Sequence, residues 1–403
     1  MPDATTPNVP ATERLYLTDS SMLRFSALVR EVRSLGGKPA AILDRSAFYP
    51  EGGGQPGDRG TLGAARVLDT QDQAGDVLHL LDPAGATLAP GDAVEGKVDA
   101  TRRFDHVQQH HGQHLLSAAL ERVLQARTVS FHLGEKLCTI DLDCSISKLP
   151  WAALRSVEAV ANQSVWADLP VIARDFSGEE RARLQLRKEP VKGDRVVLVE
   201  GVDASPCGGT HPQRTGEVGC IAVLGAQKWG QGQARVEFVC GGRAVAKLAE
   251  QVELVAGAAE ALACAQGELP QAAARAREAE RAQRKAAEVL AGELCAFLAG
   301  ELLAAQPAGP VVAELQRPHQ FAKGVAVALS SRGRTALVAA VDGGRAQLCF
   351  SRPKGPGTSM SELLKMALAL LGGKGGGSPE HAMGSGDAVR VSEALAAAQT
   401  KAG

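Results

Sequence analysis

Two short stretches constrain this chain more than any others. In "DHVQQHHGQHLL", Asp105 to Leu116, His110 and His114 stand four residues apart, and about a hundred residues later, in "SPCGGTHPQRTGEVG", Cys207 and His211 repeat the spacing. On a helix, side chains four apart share one face with about 5 to 6 Å between their Cβ atoms, close enough for two imidazoles to grip one ion. Gly208 and Gly209 work against a helix in the second pair and admit positive φ, so that thiolate and imidazole curl toward a common point. Cys and His are the donors zinc prefers, and two plus two complete a tetrahedron. Either pair alone reads equally well as hydrogen-bonded core or surface. Together they require a fold that carries a glycine loop back onto a distant helix.

The other two histidines of the cluster fit the ion less well. His106 lies near the face of His110 and His114 but about 12 Å along the axis from His114, so all three do not easily reach one ion. It reads as a structural residue at the start of the helix. One residue along a helix rotates about 100°, which turns His111 off that face and out of the expected ligand set.

The period of the hydrophobic pattern divides the chain. After a polar, proline-rich leader, "MPDATTPNVP", short β-favouring runs ("SALVREV", "KPAAILD", "ARVLDT", "DVLHLL", "AVEGKVD") alternate with Gly, Pro and Asp clusters, the pattern of a small antiparallel sheet or barrel. From Arg102 the period becomes helical, with Leu115, Ala118, Ala119 and Val123 on or near one face. The pieces "CTIDLD" and "RVVLVEG" then flank a helix over "PWAALRSVEAVANQSVWA". Between Ala244 and Gln306 the composition predicts two long helices folded back at Gly267 to Pro270. The tail offers four strand candidates, "GPVVAELQ", "GVAVALSS", "TALVAAVD" and "AQLCFSR", and a helix over "TSMSELLKMALALLGG". The fold class expected is α+β multidomain: a barrel over 11–99, an α+β zinc-binding domain over 100–242, a helical hairpin over 243–307 and a compact α/β domain over 308–403.

Composition narrows the setting. No run of 18 or more apolar residues and no charged-then-apolar leader occurs, so the expected address is the cytoplasm, with no membrane partner. The eight cysteines lack the dense spacing of a disulfide scaffold. Net charge is −1, but from Gly309 onward eleven Lys and Arg face six Asp and Glu, a bias suited to phosphate contact and equally to a solvated surface. The same two readings stay open for Arg277, Arg281, Arg284 and Lys285, which share an arc of the second long helix with Glu278, Glu280 and Glu288 interleaved.

"HHGQH" followed by "CGGTH" resembles the zinc-dependent editing domain of alanyl-tRNA synthetases and of the free-standing alanyl-tRNA editing proteins, the AlaX group. "SAFYPEGGGQPGDRG" is similar to the glycine-rich signature of that family's barrel, "TVSFHLGEK" to the segment after its histidine helix, and "GGKGGGSPEHAMGSG" to the glycine-rich end of its C-terminal DHHA1 domain. These matches run in the family's order over almost the whole chain, the order of the long form.

The resemblance implies a zinc-dependent hydrolase that removes serine, and glycine, from mischarged alanine tRNA. It implies metal ligands His110, His114, Cys207 and His211. It places Gln113 and His132 near the catalytic pocket, each equally explicable as a surface hydrogen-bonding group. Gln55 and Asp58 are expected as polar contacts beside backbone amides of the glycine loop, and Lys374, Gly375 and Gly376 as tRNA contacts of the C-terminal domain, with self-association through the long helices or that domain. Only about fifteen residues precede the barrel, so aminoacylation is not expected. Two points stay open. Four protein ligands make a closed site of the structural sort, whereas a catalytic zinc keeps a position free; that count favours a non-catalytic tRNA-binding protein as one alternative, and removal of serine from threonine tRNA is another. The family usually has Thr where this chain has His111, which leaves the serine preference undecided if that hydroxyl lines the pocket.

Overall fold

The computed structural model describes residues 11–85, 87–189 and 194–402; the expected leader, residues 1–10, lies outside them. The chain divides into two compact units, Met1–Val255 and Ala256–Gly403.

The first unit opens with β1 (Glu13–Arg14), the single-turn helix α1 (Leu15–Thr18), β2 (Arg24–Leu35), β3 (Lys38–Leu43), β4 (Arg45–Ser46), β5 (Gly60–Leu62), β6 (Ala65–Gln73), β7 (Asp76–Leu81) and β8 (Ala93–Val98). All five β-favouring runs are strands. β2, β3, β7, β6, β5 and β8 pair in a ring that closes into a barrel, while β1 pairs only with β4. Strict alternation fills it: Phe25, Ala27 and Val29 of β2 point inward, as do Val94 and Val98 of β8, around Phe48 and Leu62.

α2 (Ala100–Leu124) follows directly, its first turn capped by the Asp99 carboxylate, which accepts from Arg102 N at 3.1 Å. β9 (Thr128–Leu133), β10 (Cys138–Leu142), α3 (Trp151–Trp166), β11 (Ile172–Asp175), α4 (Gly178–Ala182), β12 (Arg195–Val199), β13 (Asp203–Pro206), β14 (Ile221–Trp229) and β15 (Gln233–Cys240) complete this part, and α5 (Gly241–Ala261) leaves it. The strands form a four-stranded sheet, β14-β15-β10-β9, and a three-stranded one, β11-β12-β13. The one-faced helix expected from Arg102 is wrong in detail. Every residue from His106 to Ser117 is buried, whereas Val123, expected on the apolar face, is exposed. A helix enclosed all round must satisfy its polar side chains internally. Gln109 does so by pairing with both N and O of Cys240, at 2.8 and 3.0 Å.

In the second unit, α6 (Leu269–Ala305) is followed by β16 (Val311–Leu315), α7 (Gln320–Ser331), β17 (Ala336–Asp342), β18 (Arg345–Ser351), α8 (Met360–Leu370), β19 (Lys374–Gly377), β20 (His381–Asp387) and α9 (Val391–Ala402). "GVAVALSS", expected as a strand, is part of α7. Its neighbours β16 and β17 are parallel, so the chain must cross over between them, and Phe321, Ala322, Val325, Ala326 and Leu329 give the buried face of the crossover helix. The sheet runs β16-β17-β18-β20-β19, with separate apolar cores against α6 and α7 and against α8 and α9. α5 and α6 are two long helices, interrupted between Ala261 and Leu269. Among the described residues no helix is long and apolar enough to cross a membrane.

Candidate metal centre

α2 presents His110 and His114 one turn apart, and the loop after β13 brings Cys207 and His211 to them. One ligand atom from each of the four lies within 4.8 Å of all the others. Cys207 Sγ stands 3.2 Å from His110 Nε2 and 3.3 Å from His211 Nε2. Donors about 2.0 to 2.3 Å from a tetrahedral ion are separated by about 3.3 to 3.8 Å, so the four residues can hold a metal ion with little rearrangement.

The glycine requirement in the loop is real, but its reason differs from the expected one. Neither Gly208 nor Gly209 has positive φ. What matters is proximity: a Cβ at Gly209 would stand 2.1 Å from His110 Cε1. Arg195 of β12 secures the loop by donating to Cys207 O at 2.7 Å and to Gly209 O at 3.1 Å.

An imidazole ligates only through a nitrogen without hydrogen, so the partner of its other nitrogen decides whether it can bind. His110 Nδ1 lies 2.6 Å from Gln55 Oε1, the atom that also accepts from Thr210 N at 3.2 Å. A backbone N–H needs an acceptor, which identifies that atom as oxygen, puts the hydrogen of His110 on Nδ1 and leaves Nε2 free toward Cys207. His114 Nδ1 lies 3.2 Å from the carboxylate of Asp203, an obligatory acceptor with the same effect. Asp203 is in turn bonded by Arg187 Nε at 2.8 Å and Ser205 Oγ at 3.1 Å.

The electrostatics suit ligation. Burial, reinforced by Lys188 and Arg195, pushes His110 down to about 3, and burial holds His211 well below its ordinary value, so both imidazoles are neutral. Burial opposes ionisation of the Cys207 thiol, but His114, the Gly209 N–H and Arg195 outweigh it and bring the thiol below its ordinary range. Burial likewise opposes the charge on Asp203, and His114 and Arg187 overcome it. Neutral imidazoles and a thiolate-prone sulfur are the forms a metal ion takes.

Two cavities flank the cluster. One, of about 630 Å³, is lined by Gly53, Gln113, Arg127, Phe131, Arg187 and Lys188 among others. Phe131 places its ring 5.8 Å from that of His110, and buried Gln113 donates to Ser117 Oγ at 2.7 Å while its Oε1 has no partner among the described residues. The other, of about 640 Å³, touches His211. Its arginines, Arg103 and Arg195, donate to backbone carbonyls and to Asp58, and Asp19 and Glu217 add negative charge to its wall. The first sets Arg127, Arg187 and Lys188 against Glu121 and Glu189, a surplus of one positive side chain, where the second balances two against two.

Several expected site residues stand elsewhere. Asp58, expected as a polar contact, is wholly buried; its Oδ2 takes Arg103 and Tyr49 N, so it ties the barrel to α2. Gln55, also wholly buried, meets His110 Nδ1. The glycine loop that carries it presses on β9: Gly54, at φ +85°, would put a Cβ 2.9 Å from the Phe131 ring. His132 is exposed, because on β9 it alternates with Phe131, the residue on the cluster's side. His106 is buried and outside the cluster, with burial pushing it down to about 4. Lys374, Gly375 and Gly376 lie in β19, an exposed strand at the edge of the second unit's sheet. Arg195 and Asp203 were not expected at the site, and no local spacing marks either.

The chain is similar to several known proteins. The family described as class II (A) tRNA synthetases matches residues 15–102, and the threonyl and alanyl tRNA synthetase second additional domain matches 195–237, the stretch holding Cys207 and His211. An alanine–tRNA ligase from Pyrobaculum neutrophilum is 33% identical over 96% of this chain and 44% of its own length. The alanyl-tRNA editing protein AlaX-L from Pyrococcus horikoshii is 29% identical over 92% of this chain and 94% of its own. The chain thus spans less than half of the ligases it matches and nearly all of the editing protein. Among solved structures, the C-Ala domain of Aquifex aeolicus alanyl-tRNA synthetase aligns over 23% of this chain and 87% of its own, with a TM-score of 0.22 and 18% identity.

Proposed function

We propose that this chain, related to the free-standing alanyl-tRNA editing proteins and to the editing and C-terminal parts of alanyl-tRNA synthetases, is a zinc-dependent deacylase that hydrolyses serine, and glycine, from mischarged alanine tRNA. The observation that carries the reading is the convergence of His110, His114, Cys207 and His211 beside a cleft that can take a polyanion. Three nitrogens and one sulfur suit zinc. Bound there, zinc would supply a Lewis-acidic centre next to the ester.

The chain's own residues supply the rest. Arg127 and Lys188 on the cleft wall offer charge to the 3′ phosphates, and Phe131 an aromatic face to a terminal base. Gln113 holds a buried acceptor with no donor among the described residues, suited to a water or to the amino or hydroxyl group of the aminoacyl moiety. With four protein ligands in the cluster, this placement of water by Gln113 reconciles a closed site with hydrolysis. The positive second unit, with Lys374 on its exposed edge strand, is assigned contact with the tRNA body.

Deacylation of seryl-, glycyl- and alanyl-tRNA(Ala) by purified, zinc-analysed protein tests the reading. Hydrolysis of the first, and of the second, with alanyl-tRNA spared is expected. Gln113→Ala should retain zinc and lose about tenfold or more in turnover, the loss of about one hydrogen bond. The closed ligand count favours one other reading, a tRNA-binding protein with structural zinc; zinc-replete protein that leaves seryl-tRNA intact would establish it. A preference for seryl-tRNA(Thr) would transfer the activity to threonine tRNA.

A further inference from the structure

The outer partners of His110 and His114 are an amide oxygen and a carboxylate, which leave each imidazole one tautomer. His211 is different. Its Nδ1 faces Nδ1 of His111 at 3.1 Å, ring nitrogen against ring nitrogen, with ring centroids 5.3 Å apart and the rings nearly perpendicular. One nitrogen must carry the hydrogen and the other must accept it, and each assignment forces the rest of both rings. If His111 donates, His211 Nδ1 is bare and its hydrogen sits on Nε2, the atom 3.3 Å from Cys207 Sγ, where it blocks ligation. If His211 donates, Nε2 is free for the metal, and His111 must carry its own hydrogen on Nε2.

We infer that His111 is the positioning residue of the fourth ligand: its Nδ1 accepts from His211 Nδ1–H and so holds His211 in the tautomer that binds metal. The inference rests on the metal-binding reading above. Three further observations support it. His111 is wholly buried, so no water competes for Nδ1. It is not one of the four convergent ligands. Its Nε2 is buried and has no partner among the described residues, so none of them dictates the tautomer from the far side of the ring. The three imidazoles of the site would then each be fixed by a different acceptor: the Gln55 amide, the Asp203 carboxylate and the His111 ring.

The inference is tested in the full chain by competition for zinc against a chromophoric chelator, with wild type, His111→Phe and His111→Asn. Phenylalanine keeps a planar ring and removes the acceptor; zinc affinity should fall about 10- to 100-fold, the effect of losing an outer-shell partner of a metal-bound histidine. Asparagine places Oδ1 where Nδ1 stands and should recover about tenfold of that loss. Cobalt-substituted wild type and His111→Asn should share a tetrahedral absorption spectrum that His111→Phe alters. A measurement on wild type alone does not depend on any variant folding: two-bond ¹H–¹⁵N correlation spectra of the zinc-loaded protein should show His211 with hydrogen on Nδ1 and His111 with hydrogen on Nε2. Hydrogen on His111 Nδ1, or wild-type affinity in His111→Phe, overturns the inference and leaves the metal reading standing. Wild-type protein that takes up no metal overturns both.

Discussion

Replacing Asp203 by asparagine changes almost no shape and removes one charge. The carboxylate is 2% exposed and accepts from His114 Nδ1 at 3.2 Å, while Arg187, 12% exposed, donates to its other oxygen at 2.8 Å. Hydrogen bonds to a charged group contribute about 1.5 to 3 kcal/mol against about 1 for neutral pairs, so two weakened bonds cost about 2 to 3 kcal/mol, and breaking a buried pair sets a ceiling near 5. The effect on metal is separable from this. Asparagine has one oxygen for two donors: turned toward His114 it sets its amino group against Arg187, and turned toward Arg187 it sets an N–H against His114 Nδ1. The second orientation moves the imidazole hydrogen to the ligating nitrogen. Metal affinity should fall about 10- to 100-fold, which is about 1.4 to 2.8 kcal/mol. The three tryptophans, Trp151, Trp166 and Trp229, all belong to the first unit, so tryptophan fluorescence in urea with excess chelator reports the stability of that unit within the full chain. Chelator competition reports the metal. A variant that loses the predicted stability yet binds zinc within about twofold of wild type would refute the claim that Asp203 orients His114.

Gly209→Ala should abolish stoichiometric metal binding, since its Cβ would stand 2.1 Å from His110 Cε1; normal metal content by elemental analysis would show that the loop has room to move. Asp58→Asn should destabilise the first unit by about 3 to 5 kcal/mol by leaving the buried Arg103 guanidinium without its anion, while the folded variant binds tRNA normally; weakened binding at unchanged stability would restore Asp58 as an RNA contact. Burial pushes His79, bonded to Ser46 Oγ at 2.8 Å, down to about 4, so its neutral form is the one the barrel holds. That stability is complete above the unfolded value of about 6.5 and is lost as pH falls from there toward 4, amounting to about 3 kcal/mol. Urea unfolding of metal-free protein at pH 7.5 and 4.5 should therefore show a drop larger in wild type than in His79→Gln by about that amount; parallel drops would dismiss His79 as the source.

The four ligands and the barrel strands were legible because each rests on a local pattern: alternation in "SALVREV" and "AVEGKVD", short apolar runs between turn residues in "KPAAILD" and "DVLHLL", and two i, i+4 donor pairs. α7 was misjudged because "GVAVALSS" is apolar enough to suit either period, and only the parallel pairing of β16 with β17 decides it. His132 shows the converse: strand alternation alone turns it away from the side that Phe131 takes, in keeping with its reading as a surface hydrogen-bonding group. Gln55, Asp58, Asp203 and Arg195 carry no spacing rule at all. Their partners lie 12 to 89 residues away in sequence, on the helix or in the cysteine loop, and those pairings exist only once the tertiary structure does.

That arrangement ties metal affinity to parts of the chain that contribute no ligand. Gln55 comes from the barrel's glycine loop and reaches both His110 and the backbone of Thr210, so one amide orients a helix ligand and braces the loop carrying Cys207 and His211. Asp203 performs the same service for His114 from β13 through Arg187. A donor set built this way does not depend on the ion alone to define its geometry, because each imidazole already meets an acceptor on its far side. The barrel is thus part of the metal site in energetic terms: loosening the grip of Gly54 on β9 would displace Gln55, free His110 to exchange tautomers and weaken binding at an ion that the barrel never touches.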